Sequence, residues 1–492
     1  MRSTRRTRSS TCGNSSAGSR RWCISTTSSP PRSAKHVERC DVLVVGGGNA
    51  GCAAALAAAR SGARVLLVER YGFLGGTATA SMVGPWMTFH SGNDRIVGGI
   101  AQEIVERLVA MGASPGHIRD SSDYVATITP FDPEVHKALL FEMMREAGVD
   151  LLLHAYFLET VCDEHARVRS ARFATVAGTR EVTAGRTVDA TADAFVAFSA
   201  GVRMQETAGL RGRVQPATMM FRLSHIDVGA LATYVRQHPD QMRTSLKTHE
   251  RTPGNLTAVA GLYALWDEAR ARGEITVQRE LVSLFVTPYP DEMTVNMTRV
   301  VDIDPLDPDD LTRAEIEARA QVMELLRFFR TRVPGFERAR IAATATQIGI
   351  RESRRIVGEY TLTAQDVLEA RQFPDAIARS AYPIDIHNPS GSGTVTHRLP
   401  PGASYEIPYR CLVPLEVDDL IVAGRCISTT HEAHASTRLT PTVMTLGQAA
   451  GMAAAISVKS HTPFRRIDAR LLRDRLAADG VDLRRPSAAA NA

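Results

Sequence analysis

One segment near the N-terminus constrains the fold more than any other stretch of the chain. Residues 41–45 (DVLVV) form a short, nearly all-apolar run of the kind found in buried parallel strands. Gly46-Gly47-Gly48-Asn49-Ala50-Gly51 follows at once and satisfies G-x-G-x-x-G. Next come an alanine-rich helix over 52–60, a stop at Gly62 and a second strand over 64–68. That strand ends in Glu69, 23 residues after Gly46. Each part has a physical task in binding a dinucleotide. Gly46 permits the tight turn, Gly48 lets backbone N–H groups approach a pyrophosphate, and Gly51 allows close helix–strand packing. The helix turns its positive end toward the phosphates. Glu69 is placed to accept hydrogen bonds from the adenosine ribose. A glycine turn without a ligand would not require an acid at that distance.

That unit alone leaves FAD and NAD open. After Glu69 and Arg70 comes a second glycine-rich loop, Gly72-Phe73-Leu74-Gly75-Gly76-Thr77-Ala78-Thr79. A bulky cofactor reaching past the pyrophosphate needs such a loop, because backbone must pass close to its ribityl chain. Near the C-terminus a strand over 419–423 ends in Gly424-Arg425, and a helix over 442–456 follows Thr440-Pro441. Thr440 can cap that helix and Pro441 suits its first turn. A simple NAD domain has no need of this second block.

The 492 residues predict about three domains, or two large ones. With 44% hydrophobic and 23% charged residues the composition is that of a globular enzyme, neither collagen-like nor wholly disordered. No stretch approaches the ~18 uninterrupted apolar residues of a membrane helix. The net charge of +5 misleads as an average. Residues 1–37 hold seven Arg and one Lys with no acid, so the remaining chain is slightly acidic. It offers no electrostatic reason to expect nucleic acid. Residues 1–36, with fifteen Ser or Thr, read as a disordered basic tail. Arg20-Arg21 lacks the apolar region that an export signal needs. Seven cysteines, an odd count with no C-x-x-C pair, argue for a reducing compartment and a cytoplasmic location. They show no ligand pattern for zinc or an iron–sulfur cluster.

The blocks DVLVVGGGNAG, ERYGFLGGTATASMVG, GRTVDATADA, IGIRESRRIVGEYTLTAQDVL, AYPIDIH, YEIPYRCLVP and DLIVAGRCISTTHEAHASTRLTPTVMTLGQAAGMAAA are spread over residues 38–460. Together they resemble the FAD-dependent oxidoreductases of glutathione-reductase-like fold, in the branch related to the heterodisulfide reductases. The resemblance implies an α/β fold: a three-layer, Rossmann-like FAD-binding domain with a β-meander crossover and an inserted α+β substrate or cap domain. It implies that Gly46, Gly48, Asn49, Ala50 and Gly51 hold the pyrophosphate, with Glu69 and Arg70 at the ribose. Gly75, Gly76 and Thr77 would line the ribityl and flavin side, and Thr191 and Asp193 would return the chain to the cofactor. Gly424 and Arg425 would close a second contacting strand. The helix starting at Pro441 and Thr442 would point its N-terminus at the flavin, where its dipole stabilises negative charge. Ala192 stands where the family has glycine. A positive φ there would cost alanine about 1 kcal/mol.

The expected organisation is a tail over 1–36, an FAD-binding domain split between 37–203 and 401–460, a substrate or cap domain over 204–400, and an extension over 461–492. Strands over 281–287 and 294–303, and a helix over 313–330, belong to the cap. Asp132-Pro133 starts a helix over 133–147, and residues 151–188 alternate as a β-meander.

Flavin carries the redox chemistry, so the protein must supply orientation, a base and charge stabilisation. The richest polar cluster is His431-Glu432-Ala433-His434-Ala435-Ser436-Thr437-Arg438, expected to precede the last helix and cross the flavin. His431 or His434 could take a proton there; the alternative is that both hydrogen-bond backbone in a buried loop. The spacing is not H-E-x-x-H, which argues against metal. Arg351, Arg354 and Arg355, beside Glu352, are candidates for clamping a carboxylate substrate; the alternative is an ion-pair network joining two domains. Tyr382, Asp385 and His387, and Tyr409 and Arg410, are candidate pocket lining, with structural packing as the alternative. The leading reading is an FAD enzyme that transfers hydride between flavin N5 and a small molecule. A redox-sensing or electron-transfer flavoprotein and a NAD-dependent dehydrogenase are the alternatives. No nucleic acid or membrane partner is expected, and a homodimer is the assembly open to such a chain.

Overall fold

The structure, a computed structural model, describes residues 39–205, 210–243 and 256–483. The basic tail and the last residues of the chain lie outside the described residues. The first apolar run is strand β1 (Arg39–Val45), followed by helix α1 (Asn49–Arg60) and strand β2 (Val65–Val68). Helices α2 (Gly99–Ala110) and α3 (Pro133–Ala147) precede β3 (Asp150–Leu152). α3 starts where Asp132-Pro133 predicts: the Asp132 carboxylate accepts from the Glu134 and Val135 amides, and Pro133 has no amide to leave unpaired.

The meander consists of β4 (Tyr156–Cys162), β5 (Val168–Thr175) and β6 (Gly178–Asp189). β6 has two roles. Its first half pairs antiparallel with β5, and its second half lies parallel between β1 and a strand from far downstream, Leu420–Val422. The parallel layer therefore runs β3-β2-β1-β6, with Leu420–Val422 beyond β6. Val45 pairs with Val68 and Asp189, and Asp189 with Val422, so these strands all end at one edge of the sheet. Ligands of open parallel sheets bind at that carboxyl edge.

A second, antiparallel sheet is built from β7 (Phe221–Ser224), β8 (Ala258–Gly261), β9 (Val282–Val286), β10 (Met293–Val295) and β11 (Arg340–Thr344), ordered β8-β9-β10-β7-β11. Helix α4 (Pro308–Arg332) starts five residues before the expected 313, because Asp307 caps it and Pro308 fits its first turn. β10 is shorter than the expected 294–303. Trp266, Phe329 and Phe336 are fully buried in the core of this unit, which draws on Met82 and residues 217–348.

The first core is larger and takes chain from both ends. Leu362, Phe373, Ile377 and Ile384 pack into it, as do Phe464, Leu472 and Leu476 near the C-terminus. The cores thus divide at about residue 350.

Two expectations near the C-terminus are corrected. The polar cluster does not only precede the last expected helix; its residues 431–437 form a helix of their own, α5 (His431–Thr437), capped by the Thr430 hydroxyl accepting from the Ala433 amide. Helix α6 (Thr440–Ser460) begins at Thr440 itself, with Leu439 at the cap position, so Thr440 does not cap it. α7 (Ala469–Ala478) closes the fold. Among the described residues, no helix is long and apolar enough to cross a membrane.

Candidate functional site

The turn after β1 is shaped by its neighbours. Gly46 has φ +104°, and a Cβ there would sit 2.4 Å from the Ala190 carbonyl oxygen, so no other residue fits. The Gly47 amide donates to Glu69 Oε2 at 2.6 Å and the Tyr71 amide to Glu69 Oε1 at 3.0 Å. Glu69 thus braces the turn from the end of β2. Burial raises its pKa against the opposing pull of these amides. The two glycine loops are tied together: the Gly75 amide donates to Gly47 O at 2.8 Å and the Asn49 amide group to Gly75 O at 3.0 Å. Asn49 Oδ1 is in turn held by His136 Nε2 at 2.9 Å, an imidazole that burial pushes down to about 3.

The loop after β6 is organised by Asp189, fully buried, which accepts from the Thr191 amide and hydroxyl and from the Ala197 amide. Ala192 sits at φ +69°, the left-handed conformation that its replacement of glycine put in question. Asp193 Oδ1 accepts from Arg425 Nη2 and Ser353 Oγ, each at 2.5 Å, and so fixes the loop after Leu420–Val422 against the loop after β6.

These loops enclose a cavity of about 510 Å³ at the carboxyl edge of the parallel sheet. Of the sequence candidates, Gly46, Gly48, Asn49, Ala50, Glu69, Arg70, Gly76, Thr77, Thr191, Asp193, Gly424 and Arg425 line it. Gly51 and Gly75 do not. Gly51 acts by close packing, since a Cβ there would lie 1.8 Å from Gly46 O. Pro441 and Thr442 are buried in the first turn of α6 behind the wall, where Val443 takes the lining position. The residues suit FAD: Gly46 and Gly48 line the cavity in a turn that leaves backbone open to a pyrophosphate, and the cavity continues from Glu69 past Thr77 to α6. Thr312, Glu315 and Gln347 also line it and were not found from sequence. They come from α4 and the end of the second sheet, with no motif of their own; Gln347 accepts from Arg70 at 3.1 Å.

A second cavity, of about 210 Å³, lies between the two cores and shares Thr77, Ile350, Arg425 and Arg438 with the first. Arg351, Tyr382, Asp385 and His387 line it, as does Tyr124. Arg351 donates to Pro216 O and to Thr218 Oγ1 at 2.7 Å. Asp385 lies 3.4 Å from His387 Nε2 and accepts from the Tyr382 hydroxyl at 3.4 Å. Burial acts to raise the Asp385 pKa, but His387 and Arg438 hold it well below the usual carboxylate range. Burial and the charge of Arg351 push His387 down to about 3, so its ring is neutral at pH 7.

The two helix histidines take other positions. His431 and His434 line neither cavity. α5 turns His431 toward Glu352, with Nδ1 2.7 Å from Oε1, and Glu352 is also paired with Arg355 at 2.5 Å. His434 is fully buried and neither ring nitrogen has a hydrogen-bond partner; burial drives its pKa well down. Of the segment 431–438 only Arg438 reaches the cavities, because a helix presents one face where an extended loop would have crossed. Arg354 lines neither cavity: it stacks over Phe195 and Phe198 and donates to Asp193 O at 3.0 Å. Tyr409 and Arg410 are likewise structural, bonded to Phe464 O and Asp375.

A family model described as FAD dependent oxidoreductase matches residues 41–476, almost the whole described chain and sixteen residues beyond the resemblance seen in sequence. The chain belongs to that family. It is an FAD-dependent oxidoreductase, and FAD is its cofactor. No match is found among curated proteins. Solved structures similar to it include a geranylgeranyl bacteriochlorophyll reductase-like protein from Thermoplasma acidophilum (12% identity, TM-score 0.45, covering 90% of this chain and 83% of that one). Others are p-nitrophenol 4-monooxygenase from Pseudomonas putida DLL-E4 (11%, TM-score 0.43, 89% and 84%) and L-proline dehydrogenase from P. horikoshii (11%, TM-score 0.43, 86% and 94%).

Proposed function

We propose that this oxidoreductase transfers hydride between FAD in the larger cavity and a small organic substrate in the smaller one. The observation that carries the reading is the shared wall: Thr77, Ile350, Arg425 and Arg438 line both cavities. FAD, when bound, supplies the two-electron chemistry. An electron-transfer or sensor flavoprotein has no need of the second cavity. The topology, a parallel layer with a meander sharing β6, supports placing the chain in the glutathione-reductase-like branch.

Within the smaller cavity the Asp385–His387 pair handles the substrate proton in this reading, in place of His431 and His434. Its support is position. The pair lines the cavity, and the Asp385 carboxylate, 3.4 Å from His387 Nε2, is placed to hold the ring's orientation and to offset charge on it when a proton arrives. Arg438 and Arg351 set the local charge.

The test is anaerobic bleaching of the flavin absorbance across a panel of small molecules. With a reducing substrate found, His387→Gln should slow bleaching by about 10²–10⁴-fold with FAD content unchanged. A variant that bleaches at the full rate would remove His387 from the chemistry.

A further inference from the structure

The smaller cavity carries an excess of positive charge that nothing described so far uses. Six arginines and two carboxylates, Glu280 and Asp385, line it. One arginine, Arg425, is spent on Asp193. The others hydrogen-bond to neutral oxygens: Arg279 to Asn296 O, Arg351 to Pro216 O and Thr218 Oγ1, Arg438 to Gln215 Oε1, and Arg398 to Asp123 O. Arg243 stacks over the Tyr124 ring with Arg398. Among the described residues, no carboxylate is ion-paired with any of these five. Arg279 Nε and Arg438 Nε are buried with no hydrogen-bond partner, as is Asn296 Oδ1.

Uncompensated guanidiniums inside a protein are costly unless a charge arrives to pair with them, which bears on Arg279, Arg351 and Arg438; Arg243 and Arg398 are exposed and solvated. The cofactor cannot be that charge for most of them, because Arg243, Arg279, Arg351 and Arg398 line only the smaller cavity. Five guanidiniums against two carboxylates leave room for more than one negative charge. They are also divided in space, with Arg351 and Arg438 inside and Arg243 and Arg398 exposed at the opening. Between them the wall is apolar, formed by Val83, Met220, Val259, Phe285 and Ile350, which suits a carbon skeleton and not a bare inorganic anion.

Resting on the proposed function above, we infer that the substrate is a small organic acid with two carboxylates, one held by Arg351 and Arg438 and the other met at the opening by Arg243 and Arg398. Planar guanidiniums match carboxylates in geometry and bind them by charge-assisted hydrogen bonds.

Calorimetric titration of the FAD-loaded protein tests this without turnover. The probes are succinate, glutarate and isophthalate, each beside its monoacid (butyrate, pentanoate, benzoate), and inorganic phosphate. At least one diacid should bind about tenfold or more tightly than its monoacid, and added NaCl should weaken it. Arg398→Gln, at an exposed position, should erase the diacid advantage and keep monoacid binding. Arg351→Gln should weaken both; if it fails to fold, Arg398→Gln decides alone. Diacids binding no better than monoacids, or phosphate binding as tightly as the best diacid, overturns the inference. Binding and bleaching fail separately: a diacid that binds while no compound bleaches flavin sinks the hydride-transfer reading alone. Bleaching by a neutral molecule with no diacid binding sinks the inference alone.

Discussion

Glu352 shows how single residues here are set by their neighbours. Burial acts to raise its pKa, yet the hydrogen bond with His431 and the nearby positive charges, Arg355 among them, hold it at about 2. His431 is raised above its ordinary 6.5, chiefly by the same bond. The signs follow from linkage. A depressed carboxylate contributes stability above its unfolded value of 4.5 and loses it as pH falls toward 2. A raised imidazole contributes fully below 6.5 and loses it as pH rises through the folded value. Wild type should therefore exceed His431→Gln in melting temperature most between pH 4.5 and 6.5. A gap of about 1–2 kcal/mol is expected there for a partly exposed charged hydrogen bond. It should shrink on either side, and a gap independent of pH would show that the bond carries no charge. Ala192, held at φ +69° in the wall of the cofactor cavity, gives a second residue-scale test. Ala192→Gly relieves about 1 kcal/mol of strain and returns part of it as unfolded-chain entropy. Thermal scans should show a small gain, under about 1 kcal/mol, with FAD content no lower; a loss would mean that the alanine methyl packs usefully.

Elements were legible where their signals are local. The strand–turn–helix–strand unit, the Asp132-Pro133 start of α3 and the meander follow from runs and caps of a few residues. In the second sheet the strand over 281–287 was legible and the pairing was not: β7 pairs with β11 across more than a hundred residues, and no local pattern says which strands meet. α5 was missed because seven polar and alanine residues between two loops carry little periodicity; its one signal was the capping Thr430. The same miss displaced the catalytic expectation, since a helix sends His431 to Glu352 and not to a cavity. By contrast, the Gly447-Gln448-Ala449-Ala450-Gly451 run in α6 has a plain physical meaning. A Cβ at Gly447 would lie 2.0 Å from Ala50 O, and one at Gly451 2.0 Å from Ala54 O, so α6 and α1 pack backbone to backbone. Gly447→Ala must push the helices apart and should cost about 3 kcal/mol. Because Ala50 lines the cofactor cavity, FAD content should fall too. Gly391→Ala, whose new methyl would meet one atom at 3.6 Å, is the matched control. Equal melting temperatures for the two variants would contradict the close packing.

At the scale of the whole molecule, the cofactor cavity is lined from both cores, which also meet directly, as where the Tyr289 hydroxyl donates to Asp132 at 2.7 Å. Gly46, Thr191 and Gly424 come from the first unit, and Thr312, Glu315 and Ile348 from the second. A ligand that touches both, and that the unfolded chain cannot hold, stabilises them together. At a free concentration one hundred times its Kd it adds about 2.7 kcal/mol. The FAD-loaded protein should unfold in one cooperative transition, at a melting temperature that rises with the logarithm of free FAD. Stripped of FAD, it should melt lower and more broadly, with the second core losing structure first because the larger first core keeps its continuous sheet. Calorimetry on both forms separates the cases. A melting temperature indifferent to FAD would mean that the cavity does not join the cores through its ligand. The shared wall of the two cavities would then be a matter of proximity alone.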